Sequence, residues 1–172
     1  PRTVSLGLTL LSHRAQLAWA PAARYHLAFE GSYDTLSDAN ARWASFLSPR
    51  AAVLRTQRLN LDLGILIHQF GVKHNLDHGY YDPHLYEYYS VVAAPYWKAS
   101  ENIGIAISAG AGPQRDDASR GFTLGMNSSV EATFGIYREW MLKVQGSVTN
   151  NRRLDSGAFQ GTSGGVVLLR RF

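Results

Sequence analysis

The residues best equipped for chemistry are six histidines and the acids near them. His74, His78 and His84 crowd one stretch with Asp77 and Asp82, types that can hold a metal or share a proton. Their spacing matches no common ligand signature, and a chain without cysteine has no thiolate site. The stretch is also rich in turn formers, so a solvated loop explains it. Ser12 beside His13 joins a nucleophile to a base, but no acidic third partner is placed by the sequence. Asp62 and His68 stand six residues apart, about 20 Å along a strand, too far to touch. The glycines fit no phosphate loop, since Gly161–Gly165 does not open a helix. No catalytic residue, metal or cofactor is assigned.

A second polar set has a clearer logic. His26, Glu30, Arg50, Asn60, Asp62, His68, Asn127, Glu131, Lys143 and Gln145 fall on the polar side of alternating segments. In a wide barrel they would line a water-filled path of mixed charge. Amides and carboxylates there could bond hydroxyl-rich sugars. In a narrow barrel the same groups would satisfy one another as buried pairs. The strand count below favours a lining.

What must position them is a run of strands. Leu59, Leu61, Leu63, Ile65 and Ile67 alternate with Asn60, Asp62, Gly64, Leu66 and His68; Gly121–Ile136 alternates in the same way. Such a two-residue period, longer than a usual soluble strand of about 5–6 residues, leaves one face oily and one polar. About ten residues at a steep tilt span a bilayer. Nine strands are expected: Thr3 to about Trp19, which has a bulge near Ser12–Arg14 or is two short strands, then Tyr25–Asp34, Arg42–Leu54, Arg58–Lys73, Leu85–Lys98, Ile103–Gly112, Gly121–Ile136, Glu139–Thr149 and Thr162–Phe172. The third contains Pro49, which would suit a bulge or an unbonded edge, and the fifth shows no clear polar face.

Connections alternate between short ones, near residues 21–23, 55–57, 99–102 and 137–138, and longer ones at 35–41, 74–84, 113–120 and 150–161. Outer-membrane barrels pair short periplasmic turns with longer outside loops. Aromatic residues mark both ends: Trp19, Tyr25, Tyr96, Trp97, Tyr137, Trp140 and Phe172 beside short turns, and Tyr33, Trp43, Tyr80, Tyr81, Tyr86, Tyr88 and Tyr89 beside long loops. Amphipathic rings collect at membrane interfaces in this way.

Composition agrees. The 172 residues suffice for one domain; only 17% are charged and 45% are hydrophobic. No apolar run reaches transmembrane-helix length. The net charge of +4 comes mostly from scattered arginines, so no nucleic-acid patch is expected. Arg2–Leu6 already reads as a strand behind Pro1, so a piece of something longer is expected. An odd count of nine, where bacterial barrels have even counts, points to the C-terminal part of a larger barrel unless the first stretch is miscounted. A soluble lipocalin-like barrel or sandwich would alternate too, but its outward polar face would carry more lysine and glutamate.

The stretch His78-Gly79-Tyr80-Tyr81-Asp82-Pro83 with Tyr86, between two long strands, resembles an outer loop in the C-terminal barrel of exopolysaccharide export porins, such as the cellulose-synthase outer-membrane subunit. Tyr33–Asn40 is similar to that group's aromatic-rich outer loops. The resemblance implies periplasmic helical repeats upstream, a barrel of about sixteen strands and a passive conduit for polysaccharide. Gly79, Tyr80, Tyr81, Asp82, Pro83 and Tyr86 would shape its outer mouth. Phe172, with Val166 and Leu168, resembles the terminal signal read by the barrel-assembly machinery, although Arg170 stands where that signal carries an aromatic residue. The implied partners are outer-membrane lipid and lipopolysaccharide, that machinery, a polysaccharide and periplasmic export components.

The expected fold is therefore an all-β, antiparallel, up-and-down transmembrane β-barrel portion in a bacterial outer membrane, and not an enzyme. The rivals are a barrel enzyme acting on lipid or surface substrates, where loss of His68 or His78 would abolish turnover; a small structural or adhesion barrel without conductance; and a soluble carrier.

Overall fold

The computed structural model describes residue 7 and residues 9–76, 81–117, 121–151 and 161–171. Nine strands follow in chain order: β1 (Leu10–Ala22), β2 (Tyr25–Leu36), β3 (Ala41–Arg55), β4 (Leu59–Val72), β5 (Tyr86–Ser100), β6 (Ile103–Asp116), β7 (Thr123–Phe134), β8 (Trp140–Thr149) and β9 (Gly161–Arg170). Each pairs antiparallel with the next in one sheet of order β1 to β9, with no helix among the described residues. No step exceeds a hairpin, the meander that alternation and short connections favour.

Register makes the two faces explicit. The rung Glu30–Phe46–His68–Tyr88–Gln114–Thr123 runs across β2 to β7 on one face. The next rung on the other face, Phe29–Leu47–Ile67–Tyr89, is apolar or aromatic. Leu17, Trp19, Phe29, Leu63, Ile65, Ile107, Leu124, Met126, Val130, Val148, Val166 and Leu168 on that second face are exposed. An apolar face this continuous is far larger than single exposed hydrophobic residues on a soluble surface. The polar face is concave: Phe46 and His68 from β3 and β4 line the same cavity as Ser129, Ser147 and Thr149 from β7 and β8.

Several boundaries differ from the sequence expectation. β1 pairs without interruption from Leu10 to Trp19, and its irregularity lies between Trp19 and Ala22, not at Ser12–Arg14. Ahead of it Gly7 adopts φ +61°, the Thr9 backbone N–H bonds the Ser37 hydroxyl, and β1 begins at Leu10. The start near Thr3 lies outside the described residues. Residues 37–40 form a tight turn rather than a long loop, closed by Leu36 N–H to Asn40 C=O at 2.9 Å, with Ala39 left-handed at φ 64°. β6 continues past Gly112 to Asp116.

Prolines show why the strands survive them. Pro49, Pro95 and Pro113 all sit inside strands on the apolar face. Pairing of β2 with β3 runs straight through Pro49, while that of β3 with β4 skips Ser48 and Pro49. Likewise the pairing of β5 with β6 skips Pro95 on one strand and Pro113 on the other, while their other neighbours pair. Each proline interrupts one ladder, as the loss of its N–H requires, and spares the second.

Candidate functional site

All ten polar positions singled out in the sequence occupy one face. His26, Glu30, Arg50, Asn60, Asp62, His68, Asn127, Glu131, Lys143 and Gln145 share the parity of the concave side through the register of β2, β3, β4, β7 and β8. They do not converge on a single point. They form a wall, organised by depth.

Near the end bearing the long loops the wall is packed. Phe70 and Tyr86 stack with centroids 4.7 Å apart, and Tyr81 meets Phe70 edge-on at 5.9 Å. Such pairs add about 0.5–1.5 kcal/mol beyond the area they bury. The Tyr86 hydroxyl donates to Gln114 Oε1 at 2.8 Å and the Tyr81 hydroxyl to Asp116. Asp34 is buried where it accepts from Ser12 and from Arg42 Nε at 2.6 Å. A carboxylate so desolvated needs both partners: losing the arginine would leave an uncompensated buried charge, at a cost of about 3–5 kcal/mol.

The loop before β5 folds onto this packed end. Asp82 is buried and accepts the Leu76 N–H at 2.8 Å, Pro83 C=O accepts Val72 N–H at 2.9 Å, and Asp117 accepts the His84 N–H at 2.7 Å. Tyr81, Asp82, Pro83 and Tyr86 therefore sit together, while Asp77, His78, Gly79 and Tyr80 lie outside the described residues, as does Phe172.

Tyr81, Tyr86 and Tyr88, assigned by sequence to a girdle beside the long loops, point to the concave face instead, and so does Tyr96 at the other end. Glycine makes room for two of them. A Cβ on Gly125 would lie 2.7 Å from Tyr88 Cε2, and one on Gly104 would lie 3.0 Å from Tyr96 Cζ. Tyr88 thus crosses over β6 to give its hydroxyl to Asn127 Oδ1 on β7 at 2.9 Å. Aromatic rings covering strand glycines in this way pin register. Trp19, Tyr25, Tyr33, Trp97 and Trp140 keep the outward parity expected of them and are exposed. Arg170 stacks on Trp140 at 5.3 Å and pairs with Glu139, so the cross-strand ring lies where the terminal pattern lacked an aromatic residue.

Toward the short turns the wall opens. Lys143 Nζ meets Glu131 Oε1 at 3.1 Å, with both side chains over a third exposed, so the pair contributes no more than about 1 kcal/mol. Arg55 pairs with Asp62. Ser108, Ser129, Ser147 and Ser163 stand opposite one another on four successive strands, a transverse row of hydroxyls. Arg50, Glu131 and Gln145 border the same cavity of 540 Å³.

Ser12 donates to Asp34, whereas His13 points to the opposite face, opposite Tyr33. Among the described residues no three metal-capable side chains converge. Two features carried no sequence signal: the tyrosine-over-glycine packing, which is cross-strand, and the outward rung Gln69–Glu87–Arg115. From the neighbouring rung Tyr89 accepts from Gln69 and donates to Glu87, and Arg115 lies 4.7 Å over Phe122.

No protein-family model matches the chain, and no curated protein matches it. A solved structure described as a bacterial polysaccharide outer membrane secretin superposes with a TM-score of 0.80 at 16% identity, over 99% of this chain and 60% of that one. The chain thus spans 60% of the neighbour's length, and at this identity the likeness is one of fold.

Proposed function

We propose that this sheet is part of a transmembrane barrel of the bacterial outer membrane that passively conducts a polysaccharide outward, without catalysis. The observation that carries the reading is the partition of the two faces. One presents bare leucine, isoleucine, valine and tryptophan across its middle, with Gln69, Glu87 and Arg115 on it near the long loops; the other gathers most of the charges, amides and hydroxyls of the strands. That is the reverse of a soluble barrel, and it fits hydrocarbon outside and water within. β1 and β9 each pair on one side only among the described residues, and unpaired ladder edges are not tolerated in hydrocarbon, so further strands would complete the wall. A barrel wider than eight strands leaves a lumen. The fold of the polysaccharide secretin supports the same reading. Tyr81, Asp82, Pro83 and Tyr86 then shape the outer mouth, the role the loop resemblance gives Gly79 and Tyr80 as well. Glu30, Asp62, Asn127 and Glu131 line the path, and Phe172 serves the barrel-assembly machinery. Outer-membrane lipid, lipopolysaccharide and periplasmic export components are the partners in this reading.

The test is reconstitution of the full-length protein in planar bilayers and in liposomes loaded with a linear polysaccharide. Steady conductance with polymer release is expected. A protein that inserts yet neither conducts nor releases polymer would be a structural barrel instead.

A further inference from the structure

The concave wall holds one aromatic pair with space on both sides. Phe46 and His68 stand directly opposite each other on β3 and β4. Both border a cavity of 330 Å³ shared with Tyr88, Asn127, Ser147 and Asn151, and both border a second of 260 Å³ shared with Glu30 and Ser32. His68 is held from behind: its ring lies 5.4 Å from Phe70 and 6.0 Å, edge-on, from Tyr86. The pair is therefore a fixed septum between two recesses.

The larger recess has hydrogen-bonding groups to spare. Asn151 Oδ1 is buried and meets no hydrogen-bond partner among the described residues. Asn127 accepts from Tyr88 through Oδ1, which leaves its amide N–H groups to donate. Apart from His68, none of the side chains around this recess ionises near neutral pH. An orphaned acceptor, a nearby donor and an aromatic edge match a ring whose rim bears hydroxyls and whose faces are apolar. The smaller recess adds the Glu30 carboxylate, which accepts from hydroxyls and repels anions.

We propose that the Phe46–His68 pair is a sugar-stacking platform, each flanking recess taking one pyranose unit of an uncharged or hydroxyl-dominated chain as it passes. This rests on the conduit reading and adds to it a discrete point of contact, so passage is stepped rather than featureless. Acidic polysaccharides are disfavoured by Glu30.

The test uses the full-length protein in planar bilayers with β-1,4-glucohexaose and, separately, hexagalacturonate. The neutral hexaose should interrupt single-channel current. Removing one aromatic contact, in Phe46→Leu or His68→Leu, should shorten the blocked time about tenfold, while His68→Phe restores it. Heat-modifiable electrophoretic mobility shows which variants fold; were both leucine variants to misfold, Asn151→Ala, which removes the orphaned acceptor, should still shorten the blocked time. Unchanged blocked times in folded variants overturn the platform, as does longer block by hexagalacturonate. Absence of conductance in the wild type overturns the conduit reading instead. Calorimetric binding of the neutral hexaose in detergent then decides the platform: binding that the leucine or Asn151→Ala variants weaken supports it, and no binding by the wild type, or binding the variants leave unchanged, overturns it.

Discussion

Gly125 shows how a single missing side chain arranges the wall. Its empty Cβ position is filled by the Tyr88 ring, which can then reach Asn127 across an intervening strand. Gly125→Val would force Tyr88 off Asn127 and overfill the concave side, costing about 1–3 kcal/mol. A lowered urea midpoint for refolded protein in lipid vesicles would confirm it; an unchanged midpoint would show that the tyrosine swings aside freely. Sequence could not reveal this packing. Tyr88 and Gly125 are 37 positions apart in the chain, and β5 shows no clear polar face, so nothing local tells an inward ring from an outward one. For the same reason Tyr86 and Tyr96 were assigned to girdles, although their register places them inside.

At the level of strands and turns, period-two patterning was fully legible where one face is oily and the other polar. β4, β7 and β8 have their expected faces because Leu61, Leu124 and Leu142 alternate with Asp62, Gly125 and Lys143. Legibility failed where turn chemistry governs. Residues 37–40 looked like a long polar loop, yet Asn40 and Asp38 close them into a tight turn. Ala39 adopts the left-handed conformation there at φ 64°. Glycine meets no Cβ penalty in that region, so Ala39→Gly should stabilise the β2–β3 hairpin by about 1 kcal/mol. The same vesicle unfolding experiment would show a raised midpoint; a lowered one would mean that the unfolded chain's gain in freedom outweighs the relief of strain.

For the whole molecule, the odd strand count, the one-sided edges of β1 and β9 and the longer secretin neighbour are mutually consistent. The first two describe a sheet that does not close on itself among the described residues. Several of the wall's charges are matched within it: Arg42 with Asp34, Arg55 with Asp62, Lys143 with Glu131. Such matching explains why the polar set in the sequence could be read equally as a lining or as buried pairs. The structure contains both, matched pairs at either end of the wall and open cavities between them.

These 172 residues hold no cysteine, so single cysteines placed in them report the surroundings of each face once any cysteine elsewhere in the full-length protein is replaced. The decisive measurement attaches a fluorophore at Leu61, Ile65, Leu124 or Leu142, and at Asp62, Ser129 or Gln145, in the full-length protein in vesicles. A hydrocarbon-facing surface requires that lipid-phase quenchers reach the first four and water-soluble quenchers the last three. Water-soluble quenching at both sets, or protein that stays monodisperse in buffer with the leucines shielded, would contradict a membrane-spanning sheet.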